Sequence, residues 1–191
     1  HRDRLRFIDE LGLALSEIGF AIISNHGVDK DLYHQAEKKI IEFFNTTIVE
    51  ERMHYKARRQ GSVNQGYFPI KTTTIIHPDL VEGWVFCRQA FNLDCDSGGG
   101  RMLGHEDIDL FTILPSQSVD GLQILNRKNM KWIRLNPKFG DIILNTGDYM
   151  QRISNDIFPS TTHRVSLPVD SNLMGKPRIS FPMAIYVWED E

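Results

Sequence analysis

Hydrophobic positions along the chain change their period once, and that change divides it. From Arg4 to Ile18 the apolar residues Leu5, Ile8, Leu11, Leu15 and Ile18 recur at intervals of three and four, the spacing of one helical face. Gly19 predicts the end of that helix. Phe20-Ala-Ile-Ile-Ser24 then reads as a short buried strand, and Asn25-His-Gly27 as the turn that leaves it. Asp29 stands where it can cap a second helix, whose apolar face takes Leu32, Ala36, Ile40 and Phe43. Glu50 to Gln65 is polar and basic, and predicts a third short helix followed by a loop.

Beyond Gly66-Tyr-Phe-Pro69 the texture becomes short β-rich runs broken by Gly, Pro, Asn and Asp. Strands are predicted over Glu82 to Leu93, Ile108 to Leu114, Gly121 to Leu125, Trp132 to Leu135, Asp141 to Leu144, Thr161 to Leu167 and Arg178 to Val187, with a helical turn over Asp148 to Ile153. The expected class is mainly β with flanking helices, a sandwich or barrel behind an N-terminal helical layer. Residues 1–66 are expected to form a helical region packing on the barrel, and 67–191 the β core, within one compact domain.

Composition narrows the possible functions. The 191 residues are 41% hydrophobic, enough for one core, and the formal charge of −3 lacks the excess of basic residues that phosphate-backbone binding requires, so no nucleic-acid partner is expected. The local cluster Lys56, Arg58 and Arg59 has acidic neighbours and reads as a solvated helix face. Cys87 and Cys95 build no disulfide framework and match no common zinc spacing, which suits a reducing compartment. No apolar run approaches the ~20 residues of a membrane span, and the opening His-Arg-Asp-Arg-Leu-Arg lacks a signal peptide's apolar segment. A cytoplasmic protein without a membrane partner is expected. It begins inside a helical pattern, as a trimmed chain would.

The candidate chemistry lies in the β-rich half. His105-Glu106-Asp107 sets an imidazole and a carboxylate at i and i+2, which project from the same side of an extended strand. His77 and Asp79 have the same spacing, but a proline stands between them. His163, far along the chain, starts another β-like run that antiparallel pairing could bring opposite the pair. Two imidazoles and one carboxylate on one face leave other coordination positions open, a set suited to Fe(II) that must also bind O2; zinc also accepts it. Taken alone, each residue is as well explained as an ordinary polar group at a strand end. Arg178-Ile-Ser180 repeats the i, i+2 pairing downstream, with a planar guanidinium fork and a hydroxyl suited to a carboxylate.

These residues resemble the isopenicillin N synthase-like branch of the Fe(II)/2-oxoglutarate-dependent dioxygenases. Glu17-Ile-Gly-Phe20 through Asn25-His-Gly27 and Gly66-Tyr-Phe-Pro69 are similar to that family's N-terminal part. Stretches His105-Glu-Asp-Ile-Asp-Leu-Phe-Thr-Ile-Leu114, Gly121-Leu-Gln123, Asn145-Thr-Gly-Asp148 and Ser160-Thr-Thr-His-Arg-Val165 occur in the family's order. The resemblance implies a double-stranded β-helix, or jelly roll. It assigns His105, Asp107 and His163 as iron ligands and Arg178 with Ser180 as the 2-oxoglutarate clamp. It further implies oxidation of a small organic molecule by O2 through hydroxylation, desaturation or ring closure, with ascorbate as a candidate reductant.

The chain departs from the family in two places. A long helical segment and a strand usually separate the region of Phe91-Asn-Leu93 from the H-x-D motif, where this chain has only Asp94 to Gly104, including the flexible tract Gly98-Gly-Gly100. The loop Pro168 to Pro177 reads as a small insertion. Three alternatives stay open: a family oxidase that uses no 2-oxoglutarate, a truncated metal-binding domain without activity, and a small-molecule-binding jelly roll without metal. Tyr67, Phe68, Phe181 and Met183 are candidate substrate-wall residues that fit plain core packing equally well.

Overall fold

A computed structural model of the chain describes residues 2–56, 58–60, 63–70, 81–85, 102–173 and 176–186. His77, Asp79, Cys87, Cys95, Gly98-Gly-Gly100 and the strand predicted beyond residue 85 lie outside them. Contacts divide the chain into two compact units, one of His1–Glu37 with Gly104–Glu191 and one of Lys38–Leu103.

The helical period is realised as α1 (Arg2–Glu17), yet only Leu15 of its apolar stripe is buried, while Leu5 and Ile8 stay about half exposed. Gly19 stops the helix at a φ of 76°, where an added Cβ would lie 2.4 Å from the Pro159 carbonyl, so neither backbone nor space admits a side chain. Strand β1 (Phe20–Ile23) follows, then α2 (Lys30–Thr46). As expected, Asp29 caps α2: its Oδ1 accepts a hydrogen bond from the Asp31 amide at 3.0 Å. The predicted face of α2 is only partly buried, since Leu32 is exposed and Tyr33 is the residue that packs inward.

Within the second unit lie α3 (Val49–His54), β2 (Arg58–Gln60), β3 (Val63–Phe68) and β4 (Gly83–Val85), the strands forming an antiparallel sheet in that order. The loop predicted up to Gln65 is therefore largely strand. Buried Arg52 organises this unit. It donates to the Phe44 and Thr47 carbonyls, pairs with Glu82 and stacks its guanidinium on Phe44 and Tyr67, whose hydroxyl donates to the same Glu82.

The remaining strands are β5 (Met102–His105), β6 (Phe111–Pro115), β7 (Leu122–Asn126), β8 (Lys131–Arg134), β9 (Ile142–Thr146), β10 (His163–Val165) and β11 (Met183–Ile185), with α4 (Asp148–Ile153) between β9 and β10. They build two four-stranded sheets, in the orders β1-β9-β6-β11 and β5-β10-β7-β8. From β5 onward the chain crosses repeatedly between these sheets, which is the expected jelly-roll layout; no closed barrel forms among the described residues. Two predicted strands are corrected. Ile108 to Leu110 precede β6 as an irregular link, so Asp107 does not share a strand with His105. Arg178-Ile-Ser180 also lies outside a strand, because β11 begins only at Met183. Among its described residues, the loop after Pro168 contains a 3-10 turn, Ser171–Leu173. No helix among the described residues is long and apolar enough to cross a membrane.

Period-two burial places Leu114 of β6, Leu122 and Ile124 of β7, Ile143 of β9 and Phe20 of β1 in one core cluster between the sheets. Ile143 is 1% exposed and Ile133, on β8, 42%. Ile143→Ala is therefore expected to cost about 2–5 kcal/mol, by the cavity it leaves as well as the lost transfer energy. Ile133→Ala should cost under about 1 kcal/mol. Urea denaturation of both variants checks the pair; equal losses would mean that the core is misplaced.

Candidate metal centre

Three residues of the first unit meet at one point. His105 ends β5, Asp107 stands in the link to β6, and His163 opens β10. Their ligand atoms all lie within 4.8 Å of one another, and Asp107 Oδ1 is 3.5 Å from His105 Nε2 and 3.6 Å from His163 Nε2.

Two of the three donors, His163 and Asp107, are held by hydrogen bonds and packing. His163 packs edge-on against Phe20 of the core, with ring centroids 5.4 Å apart, and its Nδ1 lies 3.1 Å from the Thr161 carbonyl. A proton on Nδ1 donated to that carbonyl leaves the Nε2 lone pair facing Asp107 and His105. Asp107 turns its other oxygen away from the imidazoles, where Oδ2 accepts from the Thr112 hydroxyl at 2.6 Å and the Asn145 amide at 2.8 Å. The backbone is fixed as well. The amides of Asp148 and Tyr149, at the start of α4, donate to the carbonyls of Asp107, Ile108 and Asp109.

Gly147 makes this close approach possible. A Cβ there would fall 2.2 Å from the Asp109 carbonyl and 2.8 Å from that of Asp107. The Asn145-Thr-Gly-Asp148 stretch is thus a clamp on the H-x-D link: Asn145 holds the carboxylate, Gly147 admits the backbone and Asp148 donates to it. Thr146 ties the clamp to the Pro159 carbonyl.

Electrostatics follow from these partners. Burial pushes the Asp107 carboxyl up, but the His105 hydrogen bond, the nearby His163, Thr112 and Asn145 together outweigh it and hold Asp107 well below the usual carboxylate range. Burial, more than any neighbouring charge, lowers the His163 imidazole, against the pull of Asp107. Asp109 is pushed up to about 6, mainly by burial, with the Asp107 charge adding to it and the Thr112 hydrogen bond opposing it. Thr112 Oγ1 stands 2.6 Å from Asp107 Oδ2 and 2.7 Å from Asp109 Oδ2, so a single hydroxyl proton is shared by two carboxyl groups.

The profile of the 2OG-Fe(II) oxygenase superfamily matches residues 85–185, just over half of the chain. The chain belongs to that superfamily. A second profile, the N-terminal region of non-haem dioxygenases in morphine synthesis, matches residues 1–96. Among curated superfamily relatives, the 2-oxoglutarate-Fe(II) type oxidoreductase ppzC of Metarhizium majus is 47% identical over 78 residues, 41% of this chain and 19% of that protein. The corresponding hxnY protein of Emericella nidulans is 37% identical over 90 residues, 47% of this chain and 24% of that protein. The matched stretches thus span about a fifth to a quarter of the curated relatives. A full-length Neurospora crassa protein, solved in complex with alpha-KG, superposes with a TM-score of 0.78 at 16% identity, over 96% of this chain and 80% of its own. The rice dioxygenase for auxin oxidation gives 0.69 at 18% identity, over 95% and 78%. At such identities the likeness carries the fold, and it is the jelly-roll fold expected.

The donor set fits the superfamily's iron, because two imidazole nitrogens and one carboxylate oxygen converge, with the second carboxylate oxygen already satisfied. Arg178 is half-buried. It donates to Gln117 and lines a small cavity with Asp120, Leu122, Asn136 and Ile143. Leu122 lies two residues along β7 from Ile124, the register partner of His163, so one lining residue of the cavity stands about 7 Å along that strand from the imidazole's partner. Ser180 is exposed. Of the proposed wall residues, Tyr67 is buried in the second unit, Phe181 packs near Tyr33 and Met183 is 56% exposed. Sequence reasoning missed Thr112, Asn145 and Asp109; the available signal was a polar residue at an inward position of an alternating strand, as Thr112 is on β6.

The depressed His163 value has a pH consequence. Its folded pKa lies below the ordinary 6.5, so as pH falls the unfolded chain takes up the proton first. Stability from this residue is complete above pH 6.5 and declines below it. Between pH 7 and 5.5 metal-free His163→Gln should lose less stability than the metal-free parent in urea titrations, because the imidazole's share of the pH dependence is removed. An unchanged slope in the variant would show that the imidazole is not held neutral.

Proposed function

We infer that this chain is an Fe(II)- and 2-oxoglutarate-dependent oxygenase acting on a small organic molecule. In this reading His105, Asp107 and His163 hold the iron, and Arg178 with Ser180 receives the far carboxylate of 2-oxoglutarate. The observation that carries it is the convergence of three donor atoms within 4.8 Å, with His163 and Asp107 oriented by hydrogen bonds, in a chain of this superfamily. Similar proteins agree in kind: the Neurospora crassa protein has also been solved with alpha-KG and thymine, and JOX2 with 2OG, Fe and JA.

Bound iron supplies O2 activation at the coordination positions the three side chains leave open. The protein's residues set the conditions. Thr161 fixes the His163 tautomer, while Thr112 and Asn145 keep Asp107 ionised and aimed. Phe20, packed on the His163 ring, and Ile124, the cross-strand partner of His163, put apolar side chains of the core beside the centre. At the cavity wall Arg178, steadied by the Gln117 side chain, offers a planar guanidinium fork to a carboxylate.

The test is anaerobic titration with Fe(II) and 2-oxoglutarate, read by visible charge-transfer absorption, followed by succinate production in air with a panel of small organic acids and aromatic metabolites. The parent chain should give both signals. His163→Ala and Asp107→Ala should abolish both, and Arg178→Leu should raise the 2-oxoglutarate KM by about tenfold or more, as loss of a charge-assisted carboxylate contact requires. Iron affinity unchanged in His163→Ala would end the metal reading. Iron binding with turnover that ignores 2-oxoglutarate would move the chain to the oxidases that dispense with it.

A further inference from the structure

Among the described residues, Asp109 is the buried charged side chain at this centre that no ligand or clamp role explains. It is 1% exposed, its Oδ1 has no hydrogen-bond partner, and that oxygen presses on Gly147, where a Cβ would fall 2.4 Å away. Its Oδ2 meets Thr112 Oγ1, at 2.7 Å. Thr112 in turn is the closest partner of the outer oxygen of Asp107.

Geometry makes these contacts a chain. Thr112 sits on β6 with its side chain buried, and its hydroxyl lies between two carboxyl groups whose backbones are both pinned by the first turn of α4. A threonine hydroxyl flanked on one side only is free to rotate away. Flanked on both sides, it has one place to be. Gly147 permits Asp109 to come close enough to provide the second flank.

We propose that Asp109 is a positioning residue for Asp107, acting through Thr112: it holds the threonine hydroxyl on the outer oxygen of Asp107 and so aims the inner oxygen at the metal. This rests on the metal-site reading above. Groups that orient a metal ligand from behind characteristically change affinity by about 10- to 100-fold when removed.

Co(II) binding to the full chain, followed by its visible ligand-field bands, tests this without turnover. Asp109→Ala should raise the Co(II) Kd by about tenfold or more and shift the bands. Asp109→Asn, which keeps the planar head and its reach to Thr112, should retain the parental Kd and spectrum. In a Thr112→Val background Asp109→Ala should add no further loss, since the link is already cut. Parental affinity in a folded Asp109→Ala variant overturns the proposal, as do equal losses in the Asn and Ala variants or additive losses in the Val background. If circular dichroism shows Asp109→Ala unfolded, Asp109→Ser, whose shorter side chain loses the reach to Thr112, decides: a Co(II) Kd raised about tenfold upholds the proposal and parental affinity overturns it. Failure of the parent chain to bind Co(II) overturns the metal reading along with it; binding that ignores position 109 overturns this proposal alone.

Discussion

The carboxylate of Asp107 is the constraint on which the site depends. An ionised group that is only one-fifth exposed must be compensated on every lone pair, or it will take up a proton. Here the Thr112 and Asn145 donors compensate Oδ2, while Oδ1 faces the two imidazole nitrogens at 3.5 and 3.6 Å. This division of labour leaves one oxygen for coordination and uses the other for orientation.

Strand register produces that arrangement. Thr112 of β6 and Asn145 of β9 are direct cross-strand partners, and Asn145 is paired on its other side with Phe20 of β1. Phe20, Asn145 and Thr112 therefore form one row across three strands, all pointing inward, the first packing on His163 and the other two bonding Asp107. A slip of one residue in either pairing would turn a member of the row to the opposite face. The hydrophobic positions flanking the row, Leu114 and Ile143, prevent that slip because they would leave the core with it. Core packing and site geometry are thus enforced by the same ladder.

That coupling explains what could be read from the chain in advance. The helix over Asp148 to Ile153 and the capping of α2 by Asp29 depend on local signals and were legible to the residue. His105, Asp107 and His163 were found as a set by spacing and resemblance, but the reason they converge was not. His105 and Asp107 do not share a strand as the i, i+2 pattern suggested, because β5 stops at His105 and α4 draws the following carbonyls to its amides. Arg178 and Ser180 were likewise placed on a strand that starts three residues after Ser180. Thr112 and Asn145 were invisible as a pair, since a cross-strand partnership 33 positions apart leaves no local pattern. The apolar stripe of α1 is realised as periodicity, yet of its members only Leu15 is buried. Period reports which face is apolar, and only the tertiary fold determines what covers it.

Charge balance gives the final link between this architecture and a metal. Burial holds His163 neutral and raises Asp109 toward its neutral form, whereas Asp107 is held ionised. The inner face of the centre therefore carries a localised negative charge beside imidazole lone pairs, within walls that include Phe20 and Ile124. A buried negative charge with directed nitrogen donors is poorly matched to a sodium ion or an ammonium group, which would leave those lone pairs idle. It is well matched to a first-row divalent cation, which accepts imidazole and carboxylate donors together and returns in binding energy part of the cost of desolvating Asp107.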